Sequence, residues 1–134
     1  MYYYTQYRLS ANLPQRRKQL WQSYAALGRL LRKLQLEQPL TPGSLYLLRR
    51  KCGKPTCRCA QGHLHETWVL TRSERGQTKL YAVPAEQRGR LRQLTAAYRR
   101  YQRGRAQWVK STDKLLTQID AFAEAQLVPW PPPS

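Results

Sequence analysis

The chain has 134 residues, 24 Lys and Arg against 7 Asp and Glu, and a formal net charge of +17. That length suits one domain, or two short lobes on a helical frame, at ~100–200 residues per domain, and it excludes a large multi-domain enzyme. No uncharged apolar run approaches the ~20 residues of a bilayer span, and the opening MYYYTQYRLS lacks the apolar stretch of a secretory signal, so the expected location is cytoplasmic or nucleoid-associated, with no membrane contact.

In chain order, residues 1–12 read as a flexible arm carrying Tyr2–Tyr4. Residues 13–38 read as a helix, with Asn12 as cap and Pro14 tolerated in the first turn. Its stripe is Leu20, Tyr24, Leu27, Leu31 and Leu34, spaced by fours and threes. Pro39 and Thr41-Pro42-Gly43 end it. Residues 39–84 form a β-rich module. Ser44–Lys51 is a strand, and Trp68–Ser73 and Thr78–Val83 flank Glu74-Arg75-Gly76-Gln77 as a hairpin that Pro84 closes.

Residues 85–126 then predict a helix of ~60 Å at 1.5 Å per residue. Leu91, Leu94, Tyr98, Tyr101, Trp108, Leu115, Ile119 and Phe122 follow one heptad track, interrupted at Arg105 and Thr112. A 3.5-residue period argues for coiled-coil packing, against the first helix folded back antiparallel or against a second copy. The long helix overhangs the first, leaving residues 115–126 without an evident internal partner. A homodimer or docking surface through Tyr98, Tyr101, Trp108, Leu115, Ile119 and Phe122 is therefore expected. Gly89 and Gly104 each cost ~1 kcal/mol of helix stability, and a break near Gly104 is foreseen. Residues 127–134 are a Pro-rich, polyproline-like tail. The fold class is a small α+β protein: two helices, the second long and coiled-coil-like, flanking a short zinc-stabilised β-hairpin module.

All three cysteines, Cys52, Cys57 and Cys59, lie within eight residues, and His63 and His65 follow. Tetrahedral zinc takes four ligands of this kind, and three Cys plus one His supply them. Gly53, Pro55 and Gly62 provide turns. Lys51, Lys54 and Arg58 offset the negative charge of a Cys3His zinc centre. An odd cysteine count without an export signal argues against a disulfide.

The segments Gly43-Ser44-Leu45, RKCGKPTCRCAQGHLH, WVLT and Tyr81-Ala82-Val83-Pro84 resemble a small bacterial and archaeal family without an established function. Its members are often encoded near insertion-sequence transposases. The resemblance spans roughly residues 43–101. The family's C-G-K-x-x-C-x-C-x-x-G-x-x-H falls on Cys52, Gly53, Lys54, Cys57, Cys59, Gly62 and His65. It implies His65 rather than His63 as fourth ligand. Glu66, Thr67 and Trp68 stand where the family has Gly-Pro-aromatic, so the turn after the site differs.

A charge of +17 points to a polyanionic partner, and nucleic acid is the commonest. The seven acids form no sequence cluster that reads as a two-metal nuclease site. His63-Leu64-His65 with Tyr98 or Tyr101 matches the residue types of an HUH-type nickase, but that fold needs a larger sheet. A non-enzymatic reading follows. The chain is expected to be a zinc-stabilised nucleic-acid-binding protein, DNA or RNA, and the resemblance implies an accessory of a mobile element. The expected contacts are Arg49, Arg50, Lys51, Lys54, Arg58, Arg72, Lys79, Arg92, Arg99, Arg100 and Arg103, with Trp68, Tyr81 and Tyr2–Tyr4 available for stacking on bases. The rival is an adaptor whose long helix docks on a transposase or nuclease.

Overall fold

Helix α1 (Leu13–Leu34), strands β1 (Ser44–Arg50), β2 (His65–Glu74) and β3 (Gln77–Ala82), and helix α2 (Arg88–Glu124) follow in order in the computed structural model, which describes residues 12–133. The expected arm and its Tyr2–Tyr4 run lie outside the described residues. The fold is α+β, with two helices and a three-stranded antiparallel sheet. Two compact units result, one from residues 37–102 and one from the helical segments on either side of them; α2 gives its first half to one and its second half to the other.

In the helical unit, α1 shows buried or half-buried side chains at Leu13, Arg16, Leu20, Ser23, Leu27, Leu30 and Leu34. These steps of three and four are a heptad seam. On α2 the matching row is Gly104, Trp108, Ser111, Leu115, Gln118 and Phe122, and half-buried Ala125 follows just past the helix end. Ser23 Oγ donates to Gln118 Oε1 at 2.5 Å, while a Cβ at Gly104 would come 2.7 Å from Leu34 Cδ2. Descending α1 from 34 to 23 thus climbs α2 from 104 to 118, and the pair is antiparallel.

This corrects three expectations. Residues 115–126 do have an internal partner, the first half of α1, so Trp108, Leu115 and Phe122 serve the seam within one chain. The inward row also takes Ser23, Leu30, Gly104 and Gln118, and turns Tyr24, Leu31, Arg105 and Ile119 outward. Apolar character alone set the wrong phase at alternate positions, because the closest approach needs the smallest residue and the Ser23–Gln118 bond satisfies two polar ones. Lastly, α2 runs unbroken through Gly104, whose missing side chain makes room for Leu34. Gly104→Ala should lie within about 1 kcal/mol of the parent, since helix propensity gains what the Leu34 methyl loses in moving. Gly104→Leu should destabilise by about 1–3 kcal/mol in urea unfolding, by overpacking the seam.

The second unit is a meander in the order β1-β2-β3. In the β2–β3 turn both Arg75 (φ 51°) and Gly76 (φ 80°) are left-handed, which matches the sheet's twist in a two-residue hairpin. Gly43 (φ 129°) enters β1 where a Cβ would lie 2.8 Å from the Thr71 carbonyl oxygen and 2.9 Å from Leu70 Cδ1, so only glycine fits. Leu45, Leu47, Arg49, Glu66, Trp68, Leu70, Arg72, Lys79 and Tyr81 share one sheet face by register. Trp68 of this face meets the start of α2: Arg88 and Arg92 guanidiniums stand 4.6 and 5.7 Å from its ring centroid. The core holds Val69, Leu70, Val83, Thr95 and Ala97, and Thr95 Oγ1 is satisfied by the Leu91 and Arg92 carbonyls. The helix expected to reach residue 38 ends at Leu34, and the chain is non-helical to Gly43, as Pro39 and Pro42 require.

Candidate metal centre

The 14 residues between β1 and β2 hold the cysteines. Pro55 sits second in the turn closed by the Cys57 N–H donating to the Lys54 carbonyl at 3.1 Å, the position where a fixed φ helps. A 3-10 turn, Arg58–Gln61, follows and ends on left-handed Gly62 (φ 101°), whose N–H returns to the Cys59 carbonyl. Two turns in succession carry Cys57 and Cys59 back over Cys52. The sheet register places His65 directly opposite Arg50, so the first residue of β2 meets the loop that leaves β1.

Cys52, Cys57 and Cys59 Sγ and a His65 ring nitrogen all lie within 4.8 Å of one another. The Cys52 and Cys59 sulfurs are 3.3 Å apart, and Cys57 Sγ is 3.2 Å from His65 Nε2. The sulfur–sulfur gap is far beyond the ~2.05 Å of a disulfide, and the thiols are free. Bonds of ~2.3 Å to sulfur and ~2.0 Å to nitrogen space tetrahedral donors about 3.5–3.8 Å apart, inside the range observed. The four residues can hold a metal ion. His63 is outside this group, and its backbone N–H is spent on the Arg58 carbonyl.

The local electrostatics favour thiolates at two of the three sulfurs. Cys57 is held below the usual thiol range first by the Cys59 backbone N–H, then by the Cys52 thiol and His65. Cys59, 1% exposed, is lowered chiefly by the Cys52 N–H, which donates to its sulfur at 3.2 Å. For Cys52 the Lys54 N–H is the largest influence and lowers it, yet the Cys59 and Cys57 thiols and burial outweigh it and the net shift is upward. Three thiols in one pocket do not all ionise unless a cation joins them.

Residues 10–93 match the family described as a domain of unknown function, DUF6788. The chain belongs to that family. No curated protein and no solved structure matches it. The DUF6788 span takes in α1, all three strands and the four Cys and His residues, and stops inside the first two turns of α2. It therefore reaches further toward the N-terminus than the stretch around the cysteines.

The basic residues named from the sequence fall into separate groups. Arg50, Lys51, Lys54 and Arg58 are gathered around the Cys/His loop and exposed. Arg49 points to the other sheet face and pairs with Glu66 at 3.2 Å, both well exposed. Arg72 and Lys79 face each other across β2 and β3, seven residues along β2 from His65, or ~23 Å at 3.3 Å per residue. Arg72 is engaged: it donates to Glu74 at 2.6 Å and lies over the Tyr81 ring. The Tyr81 hydroxyl donates to the same carboxylate at 2.7 Å, and Tyr81 and then Arg72 hold Glu74 below the ordinary carboxyl range. Arg92 covers Trp68, so that indole is a support for cations. Arg99, Arg100 and Arg103 are exposed on α2. Tyr98 and Tyr101 pack on each other at 5.7 Å. Nothing in the sequence sets Tyr46 apart from the other residues of its strand. Strand parity puts it, 38% exposed, on the same face as Arg50, opposite the face that carries Trp68. No helix among the described residues is long and apolar enough to cross a membrane.

Proposed function

We propose that this protein is a zinc-stabilised, non-enzymatic nucleic-acid-binding protein whose Cys/His loop presents a cluster of cations to phosphate. The supporting observation is the company of the loop: Arg50, Lys51, Lys54 and Arg58 are exposed, and none pairs with a carboxylate among the described residues, where only Arg49 and Arg72 do. Zinc is the reading for the metal because three thiolates and one imidazole in a closed loop are its structural ligand set. Bound zinc would leave the centre with a net charge of about −1, which the surrounding cations offset. Residues Cys52, Cys57, Cys59 and His65 would hold it, and it would supply order to the loop. Tyr46, on the Arg50 face, adds an aromatic surface for an unpaired base. The resemblance to proteins encoded beside transposases suggests the setting, as an accessory of a mobile element.

The test is binding to single-stranded DNA, duplex DNA and structured RNA across a salt series, for the parent and for Arg50→Ala/Lys54→Ala/Arg58→Ala. The parent should show a steep negative slope of log K against log salt. The triple variant should flatten it by about 2–3, because each phosphate contact contributes about 0.7–0.9. An unchanged slope for every ligand would remove the loop from the binding surface.

A further inference from the structure

We infer that the α1–α2 hairpin joins a second copy of this chain through one of its two side faces. The seam fixes which side chains share a face. In an antiparallel pair, residues that follow seam positions by one lie on the same side of both helices, and residues that precede them lie on the other. The second side is seen directly: Gln19, Gln22, Ser23, Lys114 and Gln118 line one polar groove. The first side therefore carries Trp21, Tyr24 and Leu31 from α1 beside Val109, Leu116 and Ile119 from α2. Their exposures are 65, 63, 50, 46, 57 and 48%. Trp21 and Tyr24 pack edge to face at 5.7 Å.

Area and charge both favour a second copy. These six side chains expose roughly 500 Å² of apolar surface, the upper range for a monomer and about two-thirds of the ~800 Å² each partner of a standard interface buries. Gly28, Thr112 and Ala123 on the same side allow close approach. The chain's +17 charge opposes self-association on any other face. On this side only Arg17 and Arg105 are charged, at opposite ends, and the middle is free of charge. A two-fold pairing of two such faces makes a four-helix bundle. The residues differ from the seam residues Trp108, Leu115 and Phe122, which the chain uses internally.

The experiment is the mass of the full chain in solution, by light scattering and sedimentation at 1–100 µM, in low and high salt and without nucleic acid, so its failure is separable from that of the binding reading. The parent should have twice the 15.8 kDa chain mass. Its dimer should tighten with salt, which screens the like charges, whereas phosphate binding weakens. Leu116→Glu and Trp21→Glu should each give a monomer with unchanged helical circular dichroism, and Gln22→Glu on the polar side should leave the dimer intact. A parent that stays monomeric at 100 µM in high salt would overturn the inference. So would a dimer that survives both Leu116→Glu and Trp21→Glu.

Discussion

Cys59→Ser should cost the protein its metal, with zinc falling from one equivalent per chain to a trace after dialysis against buffer. The same change should lower the melting temperature on the order of 10 °C. The expectation rests on position. Cys59 is 1% exposed, and its sulfur receives the Cys52 N–H and touches the Cys52 thiol. A serine oxygen there is a shorter, poorer ligand for zinc than a thiolate, and the affinity should drop at least about 100-fold, the upper range for losing only an outer-shell partner. Metal bound to the folded chain alone adds stability in proportion to the logarithm of its excess over Kd, and this is the contribution that disappears. His63→Ala should keep both the zinc and the melting temperature, since His63 stands outside the ligand group. His65→Ala should behave like Cys59→Ser. A protein purified with one zinc whose content survives His65→Ala but not His63→Ala would invert the assignment.

Leu27→Ala should destabilise the helical unit by about 2–5 kcal/mol, a large share of the ~5–15 kcal/mol a domain of this size holds. Leu27 is 7% exposed and lies between Ser23 and Leu34 on α1, so it faces the stretch of α2 between Gln118 and Gly104. The helices cannot close over a hole the size of an isobutyl group without shifting the Ser23–Gln118 bond and the Leu34–Gly104 contact together. Leu31→Ala, four residues on and equally apolar, should cost under about 1 kcal/mol in dilute monomer, because Leu31 is half exposed. Urea denaturation at low protein concentration separates the two, and equal losses would mean that the seam runs through Leu31.

The contrast between Leu27 and Leu31 also shows where the sequence is legible. The elements follow from strong local signals: Pro14 at the start of α1, the Arg75-Gly76 hairpin, Pro39 and Pro42 after the first helix. The four residues that come together as a candidate metal site, Cys52, Cys57, Cys59 and His65, follow from cysteine spacing and from the resemblance that points to His65. The phase of the helix seam does not. Both helices carry apolar residues on two adjacent rows, and leucine count cannot say which row faces inward. The decision comes from Gly104 and from the Ser23–Gln118 pair, residues that look weak or polar when read singly and become informative only as partners. The roles of Trp68 and Arg92 are equally hidden, since nothing local says that α2 returns its arginines over that indole.

The proposed function puts Arg50, Lys51, Lys54 and Arg58 on a metal-ordered loop that faces nucleic acid. The most direct measurement compares zinc-loaded and chelated protein at one physiological salt, against matched single-stranded DNA, duplex DNA and structured RNA. The zinc-loaded protein should prefer one of these ligands about tenfold or more, and chelation should remove the preference while leaving a weak, salt-sensitive residue of binding. Equal, weak binding to all of them, unchanged by chelation, would contradict it and leave the positive charge as a generic attraction to polyanions.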